Sequence, residues 1–120
     1  MDDLSGCGDP DVDVFVDANI SSFAAWDIAV YLEANPDLSI TVSELAGRLG
    51  RQETEIESMM RGLVDRGVVR MSLTPDRVEL YSLSHDPSVR RVVSRFVELA
   101  RTREVRLEFV RRVLAGMARI

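Results

Sequence analysis

Acidic and basic side chains are concentrated between residues 48 and 67, where they could act on a substrate or on a charged partner. Glu53 and Glu57 lie one turn apart in a stretch with helical spacing, and paired carboxylates are common general acids and bases. On an exposed helix, however, such a pair is ordinarily a solvated face. The single histidine, His85, lies beside Asp86 and is expected to be a turn residue.

Motifs of enzymes and of metal sites do not occur in the sequence. No Cys/His cluster has metal-ligand spacing, no glycine-rich loop follows a predicted strand, and there is no G-x-S-x-G stretch. The single cysteine, Cys7, cannot pair within the chain. We therefore expect a protein that is not an enzyme and that binds no cofactor and no metal.

The charges are distributed unevenly along a chain whose net charge is −5. Residues 1–37 contain nine acidic residues and no basic one, whereas residues 87–120 contain nine arginines and three glutamates. This asymmetry can guide a nucleic acid, an acidic partner or a second copy of the chain, although two solvated faces explain it equally well. The sequence has no apolar run of the roughly 20 residues that a membrane span needs, and its acidic start is unlike a signal peptide. A cytoplasmic protein is expected.

The first part of the chain is predicted to be a flexible acidic leader followed by two helices. Residues 1–9 are rich in glycine and aspartate. Residues 10–19 alternate apolar and polar as in a strand but also fit one helical face, and Pro10 favours a helix start. A central core helix is expected to be capped by Ser21 or Ser22 and to end at Asn35-Pro36.

A helix-turn-helix pattern comes next, followed by a change of period. Thr41-x-x-Glu44 is a capping box, and Gly50 suits the left-handed residue that ends a short helix. A second helix begins near Gln52 or Glu53 and ends at Gly67. Apolar and polar residues then alternate on both sides of the turn Thr74-Pro75-Asp76-Arg77, which predicts a β-hairpin with strands at 69–73 and 78–83.

The last third of the chain is predicted to be helical from Asp86-Pro87 onward. No proline or glycine enforces a break between Ser88 and Ala115, so one helix of roughly 30 residues, about 45 Å long, is favoured over two helices broken near Thr102. A heptad-like apolar stripe, interrupted only at Arg103 and Arg106, runs along this segment. The stripe consists of Val89, Val93, Phe96, Ala100, Leu107, Val110, Leu114 and Met117.

This stripe is too wide for a lone solvated helix, and we expect it to lie outside the compact unit formed by the preceding elements. Burying one leucine- or phenylalanine-sized side chain yields roughly 1.5–3 kcal/mol, so several together could sustain an interface. All eight stripe residues are therefore predicted to form the interface of a homodimer.

The order helix, helix, turn, helix, hairpin is that of a winged-helix domain. The stretch TVSELAGRLGRQETEIESMMRGLVDRGVV resembles the winged helix-turn-helix of bacterial transcriptional regulators such as the MarR, ArsR and Rrf2 groups. The resemblance spans residues 41–83, and residues 86–106 also look like the tail helix of small bacterial winged-helix proteins. The expected fold is α+β and mostly helical, with a leader at 1–9, a winged-helix domain at 10–86 and a helical dimerisation segment at 87–120.

The resemblance implies a homodimer that binds double-stranded DNA, with two recognition helices in successive major grooves. Glu53, Glu55 and Glu57 oppose phosphate binding, although a glutamate can accept a hydrogen bond from cytosine N4. The alternative is a winged-helix interaction module that does not bind DNA and docks a protein partner through its acidic second motif helix or its arginine-rich C-terminal helix. DNA binding is narrowly favoured, and the residues expected to contact DNA are Arg48, Arg51, Gln52, Thr54, Ser58, Arg61, Arg70 and Arg77.

Overall fold

Helices and a single β-hairpin follow one another along the chain in the computed structural model, which describes residues 7–118. The elements are α1 (Pro10–Asn19), α2 (Phe23–Ala34), α3 (Val42–Leu49), α4 (Glu53–Asp65), β1 (Val69–Leu73), β2 (Glu79–Leu83), α5 (Pro87–Leu99) and α6 (Arg103–Met117). Most of the predicted leader, residues 1–6, lies outside the described residues. Within residues 7–118, every helix is too short or too polar to cross a bilayer.

The ambiguous segment at the start of the chain is helix α1. The side chain of Asp9 accepts hydrogen bonds from the amides of Asp11 and Val12, at 3.1 and 3.3 Å, and Pro10 occupies the first turn. These contacts satisfy amides that a helix start leaves unpaired. In α2, the Ser22 hydroxyl caps the amide of Ala25 at 3.1 Å, which confirms one of the two predicted caps.

The helix-turn-helix follows its sequence signals closely. Thr41 Oγ1 accepts a hydrogen bond from the amide of Glu44 at 3.1 Å, and Gly50 has the left-handed φ of 67°. Helix α4 begins at Glu53 and buries an apolar face, as predicted. That face consists of Ile56, Met60 and Leu63.

The hairpin, or wing, lies where the period of the sequence changes. β1 and β2 pair antiparallel from Val69 opposite Leu83 to Leu73 opposite Glu79, so the predicted strands are confirmed to within one residue. An additional bridge, not predicted from the sequence, joins Ile40 and Tyr81 through two backbone hydrogen bonds of 2.8 and 2.9 Å. This bridge fixes the base of the wing to the segment that enters α3.

The preference for one long C-terminal helix is wrong, and the two-helix alternative is confirmed. The chain turns at residues 100–102, and both Phe96 of α5 and Phe109 of α6 are fully buried. Their rings lie 5.3 Å apart between centroids, and both meet Trp26 at about 6 Å. A straight helix would carry Phe109 beyond the core, so burial of this ring outweighs the helical hydrogen bonds that the turn gives up.

One hydrophobic cluster includes residues from both the winged helix-turn-helix and the C-terminal helices. Val93 and Phe96 of α5 pack in the same core as Val12, Phe15 and residues of α2. The expectation that the C-terminal segment lies outside the compact unit is therefore wrong. A boundary at residue 86 does not separate two cores.

Candidate nucleic-acid interface

The outer face of α4, the end of α3 and the wing form one surface, which we call the motif surface. Seven of the eight residues expected to contact DNA are exposed on it. The apolar side of α4 is held in the core, which directs its polar side outward. The seven exposed residues are Arg48, Gln52, Thr54, Ser58, Arg61, Arg70 and Arg77.

Arg51, the eighth, is committed to a contact within the chain. Its guanidinium meets Asp27 Oδ2 through Nε at 2.9 Å and Nη2 at 2.8 Å, and Nη1 lies 3.6 Å from Glu55. The hydrogen bond that Arg51 donates to Asp27 is the main cause that raises the pKa of Arg51. Because Asp27 belongs to α2, the pair fastens the turn between α3 and α4 to the central helix. Arg51 is thus a positioning residue for α4.

The other cations of the motif surface differ in how they are engaged. Arg61 pairs with Glu57 at 3.2 Å, one turn apart on α4. Arg70 lies against the ring of His85, with Nη1 at 3.2 and 3.3 Å from the two ring nitrogens. Arg48 and Arg77 form no ion pair within residues 7–118. Arg48, Arg70 and Arg77 are therefore available without breaking an ion pair of the described chain, although Arg70 would have to leave the His85 ring.

Arg77 is placed at the wing tip by an unusual backbone conformation. Its φ is 65°, in the left-handed region that residues other than glycine rarely adopt. The turn is closed by its amide, which donates to the Thr74 carbonyl at 2.8 Å, and by the Val78 amide, which donates to Thr74 Oγ1 at 3.0 Å. These bonds fix the backbone of Arg77 at the outer end of the hairpin.

The three glutamates at the start of α4 are engaged in three different contacts. Glu55 is paired with Arg51 and Glu57 with Arg61, whereas Glu53 accepts a hydrogen bond from Ser43 Oγ at 3.4 Å. Exposed pairs of this kind contribute little to stability, but each guanidinium weakens the negative potential of the carboxylate beside it. The same pairs also occupy two of the arginines that a phosphate would need.

A fourth carboxylate, Glu79 at the start of β2, lies near the glutamates of α4. It was not identified from the sequence. Glu53, Glu57 and Glu79 line one surface cavity of about 250 Å³ together with Val42, Thr54 and Tyr81. The Tyr81 hydroxyl donates to Glu79 Oε1 at 2.9 Å. The pKa of Tyr81 is raised mainly by burial and, to a smaller extent, by this hydrogen bond. Glu79 and Tyr81 lie two residues apart on β2, and the tertiary fold, which brings this strand to the same cavity as the start of α4, was needed to find this group.

The acidic and the basic side chains of the motif surface suit different partners. Carboxylates and hydroxyls meet in the cavity lined by α4 and the wing, and the exposed Arg48, Arg70 and Arg77 are not among its lining residues. Carboxylates accept hydrogen bonds from base amino groups, and guanidinium groups neutralise phosphates. The carboxylates can therefore contact base edges or a basic protein segment, and the arginines can contact a nucleic-acid backbone.

The eight stripe residues predicted for a dimer interface are divided by the fold. Val93, Phe96 and Ala100 are buried within the chain itself, and Val89 and Val110 are half-buried. Leu107, Leu114 and Met117 remain exposed by 55%, 51% and 46%. The part of the stripe open to a partner is thus the part on α6.

In the described part of the chain, no group of three or more His, Cys, Asp or Glu residues could hold a metal ion. No protein-family model and no curated protein sequence matches this chain.

Solved structures share the fold. The heme sensor protein PefR, in a crystal structure with heme and carbon monoxide, superposes with a TM-score of 0.59 at 13% identity, over 89% of this chain and 80% of PefR. A mutant of MepR from a multidrug-resistant S. aureus clinical isolate superposes with a TM-score of 0.54 at 18% identity, over 91% of this chain and 85% of MepR. Both neighbours are winged-helix regulators of the MarR type, and at these identities the likeness shows a common winged-helix fold.

Proposed function

We propose that this protein is a transcriptional regulator that binds double-stranded DNA as a homodimer in the cytoplasm. The observation that carries the proposal is the outward face of α4, left open beside a wing whose tip presents an arginine. Winged-helix regulators use these two elements to contact the major groove and the backbone. Two copies would place their α4 helices one helical turn of DNA apart, about 34–36 Å.

The exposed residues of the motif surface divide into two roles under this proposal. Gln52, Thr54 and Ser58 at the start of α4 contact base edges, and Arg61 joins them once it leaves Glu57. Arg48, Arg70 and Arg77 neutralise phosphates. Arg51 keeps its bond to Asp27 and positions α4 instead of contacting DNA.

The glutamates make this protein a weak binder of nonmatching DNA. Affinity for any duplex comes largely from phosphate neutralisation, which nearby carboxylates oppose. A cytosine amino group that donates to Glu53 or Glu57 offsets this repulsion, but only at the correct site. Specific binding then depends on accurate docking of α4.

A fluorescence-anisotropy titration of the full chain against genomic duplex fragments, at about 50 mM and at physiological salt, tests the proposal. We expect binding that weakens as salt rises. Arg70→Ala and Arg77→Ala should each reduce the slope of log affinity against log salt by about one unit. Arg101→Ala, an exposed arginine between α5 and α6, is the matched control and should leave the slope unchanged.

Glu53→Gln with Glu57→Gln should raise affinity for nonmatching duplexes, because two repulsive charges are lost and Arg61 is released from its pair. Arg61→Ala should lower affinity for the specific site. Absence of binding at about 50 mM salt, with a correctly folded chain, would overturn the DNA proposal.

The acidic cavity favours a second candidate, a winged-helix module that docks a basic protein segment. Glu53, Glu57 and Glu79 converge there, which suits lysine or arginine side chains of a partner better than phosphates. The same glutamine variants separate the candidates, since they strengthen DNA binding in the first and weaken partner binding in the second.

A further inference from the structure

The outer edge of the wing is strand β1, which pairs only with β2 within residues 7–118. Tyr81 of β2 uses its amide and its carbonyl for the bridge to Ile40, on the side of β2 away from β1. Successive pairs of an antiparallel ladder alternate in hydrogen bonding, so Met71, opposite Tyr81, directs its own amide and carbonyl away from β2. Leu73 does the same two residues later. β1 therefore presents backbone donors and acceptors at the spacing of a strand.

The side chains of this edge are apolar and exposed. Met71 is 41% exposed and Leu73 is 59% exposed. Free edge strands are ordinarily protected by lysine, proline or a bulge, because an open edge pairs with other chains. β1 contains neither lysine nor proline, and its pairing with β2 is continuous. Apolar side chains do not neutralise phosphates, so this edge suits another extended polypeptide better than a DNA backbone.

The face of the wing that carries these two side chains is also acidic. Met71 is opposite Tyr81, and Leu73 is opposite Glu79. Because alternate residues of a strand share a face, all four side chains lie on the same face. Glu79 lines the acidic cavity with two glutamates of α4, and within residues 7–118 it forms no ion pair. A complementary segment is therefore both apolar and basic.

From these observations we propose that an extended segment of a partner protein adds to β1 as a further antiparallel strand. Its backbone bonds Met71 and Leu73, and its apolar side chains pack on theirs. Its lysine or arginine side chains extend over this pair towards Glu79. The inference rests on the second candidate function, because it gives the basic segment of that candidate an extended conformation and a strand on which to dock.

A fluorescein-labelled synthetic peptide of about eight residues is the probe for the full chain. It has threonine at every second position and valine and lysine in turn at the others. We expect saturable binding in a fluorescence-anisotropy titration, and binding roughly tenfold weaker for the same peptide with glutamate in place of lysine. Absence of binding of the lysine peptide at high micromolar concentration would overturn the inference.

Two N-methylated forms of the lysine peptide separate strand pairing from attraction between a basic peptide and an acidic protein. Each form carries one methyl group, on one of two neighbouring central amides. Neighbouring amides of a strand point to opposite edges, so one methyl group blocks pairing with β1 and the other faces solvent. The first should lower affinity roughly tenfold and the second should leave it unchanged. Equal effects of the two would contradict strand addition.

Met71→Thr combined with Leu73→Thr tests the apolar edge, since threonine keeps the preference for a strand but removes the apolar side chains. This double variant should bind the lysine peptide roughly tenfold more weakly. Ser72→Thr is the matched control, because Ser72 is exposed between these positions on the other face. It should change affinity by less than about twofold. A double variant that binds as tightly as the unmodified chain would rule out docking on this edge.

Amide exchange measured by NMR spectroscopy locates the bound peptide. In the free chain the amides of Met71 and Leu73 should exchange fast, whereas those of Arg70 and Ser72, which bond β2, should be protected. The lysine peptide should protect the first pair. Protection of that pair in the free chain would mean that a second copy occupies the edge, and protection by duplex DNA would assign the edge to DNA. Either result would overturn the inference.

The glutamate variants separate failure of this inference from failure of the function on which it rests. Peptide binding that is weakened by Glu53→Gln with Glu57→Gln, but not by the threonine double variant, would keep the basic-segment candidate and overturn strand addition. DNA binding is decided independently by the salt titration of the full chain.

Discussion

Helices α5 and α6 share one apolar stripe in the sequence, but the fold uses its two halves differently. In α5 the stripe residues Val93 and Phe96 are fully buried within the chain. In α6 the residues on the inner side are Phe109 and Val113, and the stripe itself faces outward. A heptad pattern therefore identifies an apolar face but not what covers it. The turn at residues 100–102 decides which part of the pattern reaches the core.

Phe96→Ala should have the largest effect, because it opens a cavity among the rings of Phe15, Trp26 and Phe109. We expect a loss of about 3–5 kcal/mol in the free energy of unfolding, measured by urea denaturation at low protein concentration. Leu114→Ala on the exposed half is the matched control and should change monomer stability by less than about 0.5 kcal/mol. Equal losses for the two variants would contradict the division of the stripe.

Arg112→Met should have the next largest effect, since it removes the bonds that join α6 to α1 while keeping an apolar stem. Hydrogen bonds to charged groups are each worth about 1.5–3 kcal/mol, and the Arg112 side chain is only 19% exposed. We expect a loss in that range for the variant as a whole. Arg111→Met is the control, because Arg111 is exposed and, among residues 7–118, its ion-pair partner is Glu108 on its own helix. Its loss should be under about 1 kcal/mol.

The smallest effect concerns the caps of α3 and α6, which differ although both are threonines. Thr41 accepts a hydrogen bond from the Glu44 amide, whereas Thr102 makes no side-chain cap bond. Thr41→Ala should cost about 1 kcal/mol, and Thr102→Ala only a few tenths. Thermal or urea denaturation of both variants measures the difference. Equal costs would mean that the start of α6 is also specified by its local sequence.

Residues 41–83 were the most predictable part of the fold because their signals act over a few positions. A threonine three residues before a glutamate, a glycine at a left-handed position and a switch to alternating apolar residues each specify their own boundary. The break between α5 and α6 had no such signal. From the sequence it was only the less favoured of two alternatives, because it depends on the packing of Phe109 against Trp26, which lies far away along the chain.

The motif surface shows the same limit. Its exposed residues follow from the helical period of α4, since burying Ile56, Met60 and Leu63 turns the polar positions outward. The contacts that these residues make within the chain do not follow from that period. Arg51 is bonded to a carboxylate 24 residues away, and Glu79 of the wing lines the same cavity as Glu53 and Glu57 of α4.

The sequence by itself determined the winged helix-turn-helix and the acidic character of α4, because short-range hydrogen bonding and the helical period are encoded within one or two turns. The tertiary structure alone decided that α5 is a core helix, that α6 keeps an exposed stripe, and that Arg51 positions α4. Those outcomes depend on which side chains that are distant in sequence come into contact. Burial of the shared aromatic core determines these contacts together, not one element at a time.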